Sequence, residues 1–210
     1  NYLGFGGLNT HCTPLVAKSV MDYPVTSAGS AAELGYNPLI KEVEETTAKY
    51  VGKEAAVVVG MGFATNSTVI PAICGKGDLI VSDALNHNSI VEGARLSGAK
   101  VRAFKHNCVG DLELILQDAV AGKQRYNKIL VIIEGIYSME GELCCLPEIV
   151  EVCKLYGAYV WLDEAHSIGA VGPTGRGVCE ELGVDPKDVD IMMGTFTKSF
   201  GAAGGYVASD

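Results

Sequence analysis

The chain has 210 residues, a formal net charge of −9, and a composition that is 48% hydrophobic with 26 glycines. That length allows one sizeable core, and the apolar, glycine-rich balance fits an α/β protein with many tight connections. The 16 Lys and Arg form no basic block, which excludes nucleic-acid backbone binding and a polybasic membrane surface, and no apolar run approaches the ~20 residues needed to span a bilayer.

No signal peptide is visible. The sequence opens at Asn1 without a Met and stops just after an apolar run, so it reads as a fragment whose flanking segments leave room for a membrane anchor. Cys12, Cys74, Cys108, Cys144, Cys145, Cys153 and Cys179 are odd in number and include no C-x-x-C pair. Neither a disulfide framework nor a metal site is expected; each reads as a small buried hydrophobe in a reducing compartment.

In chain order, Asn1–Phe5 reads as a short strand, and 23–35, rich in Gly, Ala and Ser, as an exposed or site-facing loop. Pro38 opens a helix that runs to Val51 and stops at Gly52. Seven short apolar runs follow: Ala55–Val59, Leu79–Ser82, Lys100–Phe104, Ile129–Glu134, Ala158–Leu162, Asp190–Met193 and Tyr206–Ala208. Most are continuous rather than alternating, as expected of strands covered on both faces. Helical patterns lie between them at Ala64–Ile73, Ser89–Leu96, Leu112–Val120, Leu146–Tyr156 and Val178–Leu182. Alternating β and α of this kind predicts a single-domain, doubly wound, mostly parallel sheet between two helical layers.

In such folds ligands bind beyond the carboxyl ends of the strands. Five strand ends carry polar or glycine-rich clusters, beginning at Gly60, Asp83, Gly135, Asp163 and Thr195. Gly60–Asn66 leads from a strand into a helix, where backbone N–H groups can cradle a phosphate, and Thr195 and Thr197 could add hydroxyl donors. Taken alone this is a glycine turn, and the sequence contains neither a P-loop nor a dinucleotide fingerprint. His87 is either a structural residue or a flat face for a heteroaromatic ring. Asp163 ends a buried strand and needs a partner. The run Asp163–His166 matches either a DEAH-type nucleotide motif, which the missing P-loop disfavours, or a carboxylate that keeps a pyridine nitrogen protonated with a histidine beside it.

Lys198 lies just beyond a buried strand among residues too small to cover it. A lone Lys-Ser is ordinarily a solvated loop. A partly desolvated lysine instead has a lowered pKa and can form a Schiff base with a carbonyl. Phosphate cradle, stacking histidine, buried aspartate and amine are together what pyridoxal 5'-phosphate requires.

The motifs NYLG at Asn1, GMGFATNS at Gly60, SDALNHNS at Ser82, EGIYSME at Glu134, DEAHSIG at Asp163, GPTGRG at Gly172 and GTFTKSFGAAGGY at Gly194 resemble the α-oxoamine synthase family. The similarity runs through nearly the whole chain and is greatest to the serine palmitoyltransferase branch and its catalytic long-chain-base subunit. The resemblance implies the large domain of the aspartate-aminotransferase fold, a seven-stranded mixed sheet with Tyr206–Ala208 antiparallel. It implies Lys198 as the cofactor lysine, Asp163 on the pyridine nitrogen, His166 on the ring's phenolic oxygen with Ser138 nearby, and His87 stacked on the ring. Gly62, Phe63, Thr195 and Thr197 would hold the phosphate, and Asn1 and Tyr2 would border the amino acid.

The implied reaction is a decarboxylating condensation of L-serine with a long-chain acyl-CoA to 3-ketosphinganine. A homodimer, or a heterodimer with a sister subunit, at the cytosolic face of the endoplasmic reticulum is implied as well. Relatives that use glycine or alanine, and a subunit without turnover, are the alternatives. Family members carry an arginine near Ala31 and a histidine near Ile40, which leaves substrate choice open. They also continue into a small C-terminal domain beyond the end of this sequence.

Overall fold

Burial on two faces turns the central apolar runs into strands of one sheet, while Ala55–Val59 and Lys100–Phe104, at its two edges, stay partly exposed. The structure, a computed structural model, describes residues 1–23 and 28–210. Helix α1 (Cys12–Asp22) and a single π-helical turn (Ala31–Gly35) precede α2 (Pro38–Val51). Then come β1 (Ala55–Val59), α3 (Gly62–Ile73), β2 (Leu79–Asp83), α4 (Asn88–Ser97), β3 (Lys100–Phe104), α5 (Val109–Ala121) and β4 (Ile129–Glu134). A small hairpin of β5 (Ile136–Tyr137) and β6 (Glu142–Leu143) follows, then α6 (Leu146–Tyr156), β7 (Tyr159–Asp163), α7 (Val178–Leu182), β8 (Ile191–Thr195) and β9 (Gly205–Ser209).

The seven-stranded sheet has the order β1-β9-β8-β7-β4-β2-β3. Strands β3, β2, β4, β7 and β8 are mutually parallel, and β9 runs antiparallel between β1 and β8. The seven strands and the antiparallel one match the expectation, with ends displaced by one or two residues.

Strand parity divides the core in two. Leu79, Val81, Val131, Ile133, Val160, Leu162 and Met192 pack with α5 and α6 on one face. Their strand neighbours Ile80, Leu130, Ile132, Trp161 and Met193 pack with Ile70 of α3 and Ile90 of α4 on the other. Successive residues of a strand point to opposite faces, so a strand covered on both sides must be apolar at every position. Local signals stop the helices where expected: Asn37 accepts from the Ile40 N–H to cap α2, and Gly52 closes it in the left-handed region.

The first segment differs from expectation. Residues Asn1–Phe5 form turns rather than a strand, with Gly4 at φ 74 and Asn1 Oδ1 accepting from the Gly6 N–H at 2.8 Å. Glycines at 4, 6 and 7 favour turns, and among the described residues no strand pairs with the segment. Helix α1, unanticipated, buries no residue. The loop expected over 23–35 falls partly outside the described residues and ends in the π-helical turn. The β5–β6 hairpin was also missed, its strands being two residues each. All seven cysteines are free, but Cys12 and Cys108 are exposed and Cys145 is half-buried, since each sits at the start of a helix rather than within a core run.

Candidate active site

The same parity that divides the core aims the site. Glu134, Asp163 and Thr195 end β4, β7 and β8 with the parity of Ile132, Trp161 and Met193, on the face covered by α3 and α4. The register sets Glu134 beside Asp163, and Asp163 beside Met193. Together with the start of α3, His87, His166 and Lys198 they line a cavity of about 210 Å³. Glu164, one residue on from Asp163, turns to the opposite face. There it accepts from the Val178 N–H at 3.1 Å and from Ser167 Oγ.

Asp163 is 3% exposed, and burial raises its pKa, partly offset by donors. Asn66 Nδ2 donates to its Oδ2 at 2.7 Å, and the Ala165 N–H donates to its Oδ1 at 2.8 Å. The same Asn66 nitrogen donates to Ser89 Oγ at 2.9 Å, and that hydroxyl lies 2.8 Å from His87 Nδ1. The Ser89 backbone N–H also donates to His87 Nδ1 at 3.2 Å. A backbone amide can only donate, so Nδ1 is bare and the His87 proton sits on Nε2. Asp163, Asn66, Ser89 and His87 thus form one continuous network. The His87 backbone N–H is held by Glu134 Oε1.

Lys198 extends from the loop after β8. Its pKa is lowered by burial, against the opposing pull of Asp163 and Glu134. Its Nζ lies 2.8 Å from His166 Nε2. Burial first, then the neighbouring charge of Lys198, depress His166 to about 4, so its ring is neutral at physiological pH. Burial also pushes Glu134 up to about 8, with Asp163 adding repulsion.

At the other end of the cavity α3 begins at Gly62, and Met61 makes no side-chain cap. The first N–H groups of a helix have no partner within it, so this end attracts an anion. Thr195 Oγ1 lies 2.7 Å from Thr197 Oγ1 and faces the same point. A Cβ at Gly62 would come 2.7 Å from Thr195 Oγ1, so the hollow exists only because residue 62 is glycine.

Of the residues singled out from sequence, the cavity brings together Gly62, Phe63, His87, Asp163, His166, Thr195, Thr197 and Lys198. Ser138 is exposed in the turn after β5, and Asn1 is exposed with its side chain on Gly6 N; neither lines the cavity. Tyr2 approaches from outside, its hydroxyl 2.6 Å from His166 Nδ1. Asn66, Ser89 and Glu134 also line the cavity, yet sequence reasoning did not single them out. For Glu134 the missed signal was parity with Asp163; for Asn66 and Ser89 it was a polar residue on the inner side of an otherwise packed helix.

Three comparisons with known proteins extend this description. A family model for aminotransferase class I and II matches residues 1–210. Long chain base biosynthesis protein 2c of Oryza sativa subsp. japonica is 60% identical over 100% of this chain and 43% of its own length. Serine palmitoyltransferase 2 of Saccharomyces cerevisiae is 53% identical over 100% of this chain and 38% of its own. A solved structure of serine palmitoyltransferase with a PLP internal aldimine superposes with a TM-score of 0.92 at 35% identity, over 100% of this chain and 51% of that one. The chain therefore spans less than half the length of these curated relatives.

Proposed function

The chain belongs to the aminotransferase class I and II family, and on that premise we propose that residues 1–210 are the cofactor-binding large domain of a serine C-palmitoyltransferase. Such an enzyme uses pyridoxal 5'-phosphate to condense L-serine with a long-chain acyl-CoA, releasing coenzyme A and carbon dioxide and leaving 3-ketosphinganine. The observation that carries this reading is one cavity bounded by an amine, Lys198, a buried carboxyl, Asp163, and an anion-attracting helix start at Gly62. The high identity to long-chain-base and serine palmitoyltransferase proteins supports it.

The residues present fit the cofactor. Gly62 leaves open a hollow that a Cβ would fill, and Asn66 keeps a carboxyl oriented where burial alone would neutralise it. When bound, pyridoxal phosphate supplies an electron sink for a carbanion at the amino acid's α-carbon. Asp163 would hold the proton on the ring nitrogen, and ion pairing there would return its carboxyl to the charged form. The N–H groups of Gly62 and Phe63, with the hydroxyls of Thr195 and Thr197, would bind the phosphate. His87, its tautomer set by Ser89, would present its ring face to the cofactor. His166 would address the ring's phenolic oxygen. Lys198, favoured as the free amine by burial, would hold the cofactor and then take the α-proton. Asn1 and Tyr2 would border the amino acid.

A homodimer, or a pairing with a sister subunit, is part of this reading. The exposed Leu8, Met21 and Leu34 support a partner over the first segment. A location at the cytosolic face of the endoplasmic reticulum is likewise proposed. No helix among the described residues is long and apolar enough to cross a membrane, so an anchor would come from elsewhere in the protein.

An absorbance spectrum of the full-length protein with pyridoxal phosphate tests this. A visible band is expected that Lys198→Ala abolishes and that L-serine shifts. A band shifted by glycine or alanine but not by serine would redirect the assignment to another α-oxoamine synthase. No band, or one indifferent to Lys198→Ala, would sink it.

A further inference from the structure

Tyr2 reaches the site from outside the sheet. It lies in the turns ahead of α1 and is 54% exposed, yet its hydroxyl sits 2.6 Å from His166 Nδ1. Across the same ring, His166 Nε2 sits 2.8 Å from Lys198 Nζ. The two rings are tilted by 35° with centroids 6.2 Å apart, so Tyr2 meets His166 through its hydroxyl rather than by stacking. Phenol, imidazole and amine form one chain of hydrogen bonds from the protein surface to the half-buried nitrogen of Lys198.

A neutral imidazole has one N–H and one bare nitrogen, so the bond made at one nitrogen dictates what the other can offer. Two directions are available. Either the phenol donates to Nδ1 and Nε2–H donates to the lone pair of Nζ, which must then be uncharged, or an N–H of Nζ, in the amine or the ammonium, donates to Nε2 and Nδ1–H donates to the phenol oxygen. A phenol is a better donor than acceptor, which favours the first direction.

We propose that Tyr2 is a positioning residue for the reactive amine: by donating to His166 Nδ1 it places the ring proton on Nε2, which then stabilises Lys198 as the free base. The proposal rests on the reading of Lys198 as that amine. The other groups around Nζ do not supply this effect. Asp163 from β7 and Glu134 from β4 favour the ammonium, and His87, at the start of α4, has its proton directed by Ser89. Burial acts with Tyr2; the carboxyls act against it. Removing the phenol hydroxyl releases His166 to accept from an ammonium, so the amine becomes harder to deprotonate.

The test is the pH dependence of acylation of Lys198 by acetic anhydride in full-length protein dialysed free of cofactor, read by mass spectrometry of the Lys198 peptide. Exposed Lys41 serves as the internal reference. Tyr2→Phe, which keeps the ring at an exposed position, is expected to raise the Lys198 midpoint by about half a pH unit or more, roughly a threefold change in the ionisation constant. In a His166→Phe background the same substitution is expected to add nothing. An unmoved midpoint in Tyr2→Phe, or an equal shift without His166, overturns the proposal. The absorbance band with pyridoxal phosphate, recorded on the same proteins, keeps the two claims apart. A wild-type protein without the band removes the role of Lys198, whereas an intact band with an unmoved midpoint removes only that of Tyr2.

Discussion

Asp163 lines the cavity and Tyr2 touches its His166 from opposite kinds of structure. Asp163 ends a strand buried on both faces, with β4 and β8 hydrogen-bonded on either side and Trp161 beneath it fully buried. Tyr2 lies in a turn-rich stretch followed by a helix that buries nothing. The contrast separates the two tasks of a site. Groups that must hold a fixed charge are built on strand tips, where packing prevents movement. A group that only orients another side chain can sit on a segment of low local stability, because one hydrogen bond is all it contributes.

Substitutions should expose that division. Trp161→Ala removes the largest fully buried side chain under the strand tips and is expected to cost about 3–5 kcal/mol, measured by chemical denaturation. Next is Gly177→Ala. Gly177 has φ 88, and a Cβ there would run into the Glu164 carboxylate that accepts from the Val178 N–H at the start of α7. Strain of this kind costs about 1–3 kcal/mol, seen as a lowered melting temperature. Asn66→Ala should leave the fold standing while weakening cofactor binding about tenfold or more in a spectroscopic titration. It strips Asp163 of its side-chain donor, and hydrogen bonds to charged groups are the stronger ones.

A smaller effect depends on pH. Glu134 has its pKa raised from 4.5 to about 8 in the folded, cofactor-free protein, by burial and then by Asp163. The folded state therefore holds a proton that the unfolded chain has released. Its contribution is fully present below 4.5, declines as pH rises, and is gone above about 8. Glu134→Gln should flatten the decline in melting temperature between those limits but not abolish it, because Glu164, raised to about 7, contributes with the same sign. An identical slope in the two proteins would mean that Glu134 is ionised in the folded state. Least of all, Leu15→Ser in α1 should change the stability of the chain by no more than about 0.5 kcal/mol, since Leu15 is exposed. A larger loss would show that the first segment packs more firmly than the strand-tip comparison allows.

Much of the site was legible because its residues sit at strand ends, where an apolar run gives way to polar chemistry. Lys198, Asp163, His87 and the turn at Gly62 stood out for that reason, and the structure brings them to one cavity. Asn66 did not, because a polar residue inside a helical pattern looks solvated until the helix is docked. Ser138, assigned by resemblance, lies exposed in the hairpin turn, a place that strand ends do not predict. The turns at Asn1–Phe5 read as a strand because an apolar pair was visible and the missing partner strand was not.

Sequence alone determined the alternation of strands and helices, the burial of the central strands on both faces, and the residues available at each strand tip. These are local properties, set by side-chain periodicity and by glycine and proline stops. Only the tertiary structure decided that β7 lies between β4 and β8, which sets Glu134 beside Asp163 and Asp163 beside Met193. It alone brought Asn66 to Asp163 and Tyr2 to His166. Such neighbours are separated along the chain by whole crossovers, and their meeting depends on how the helices pack across the sheet rather than on any spacing a window of sequence contains.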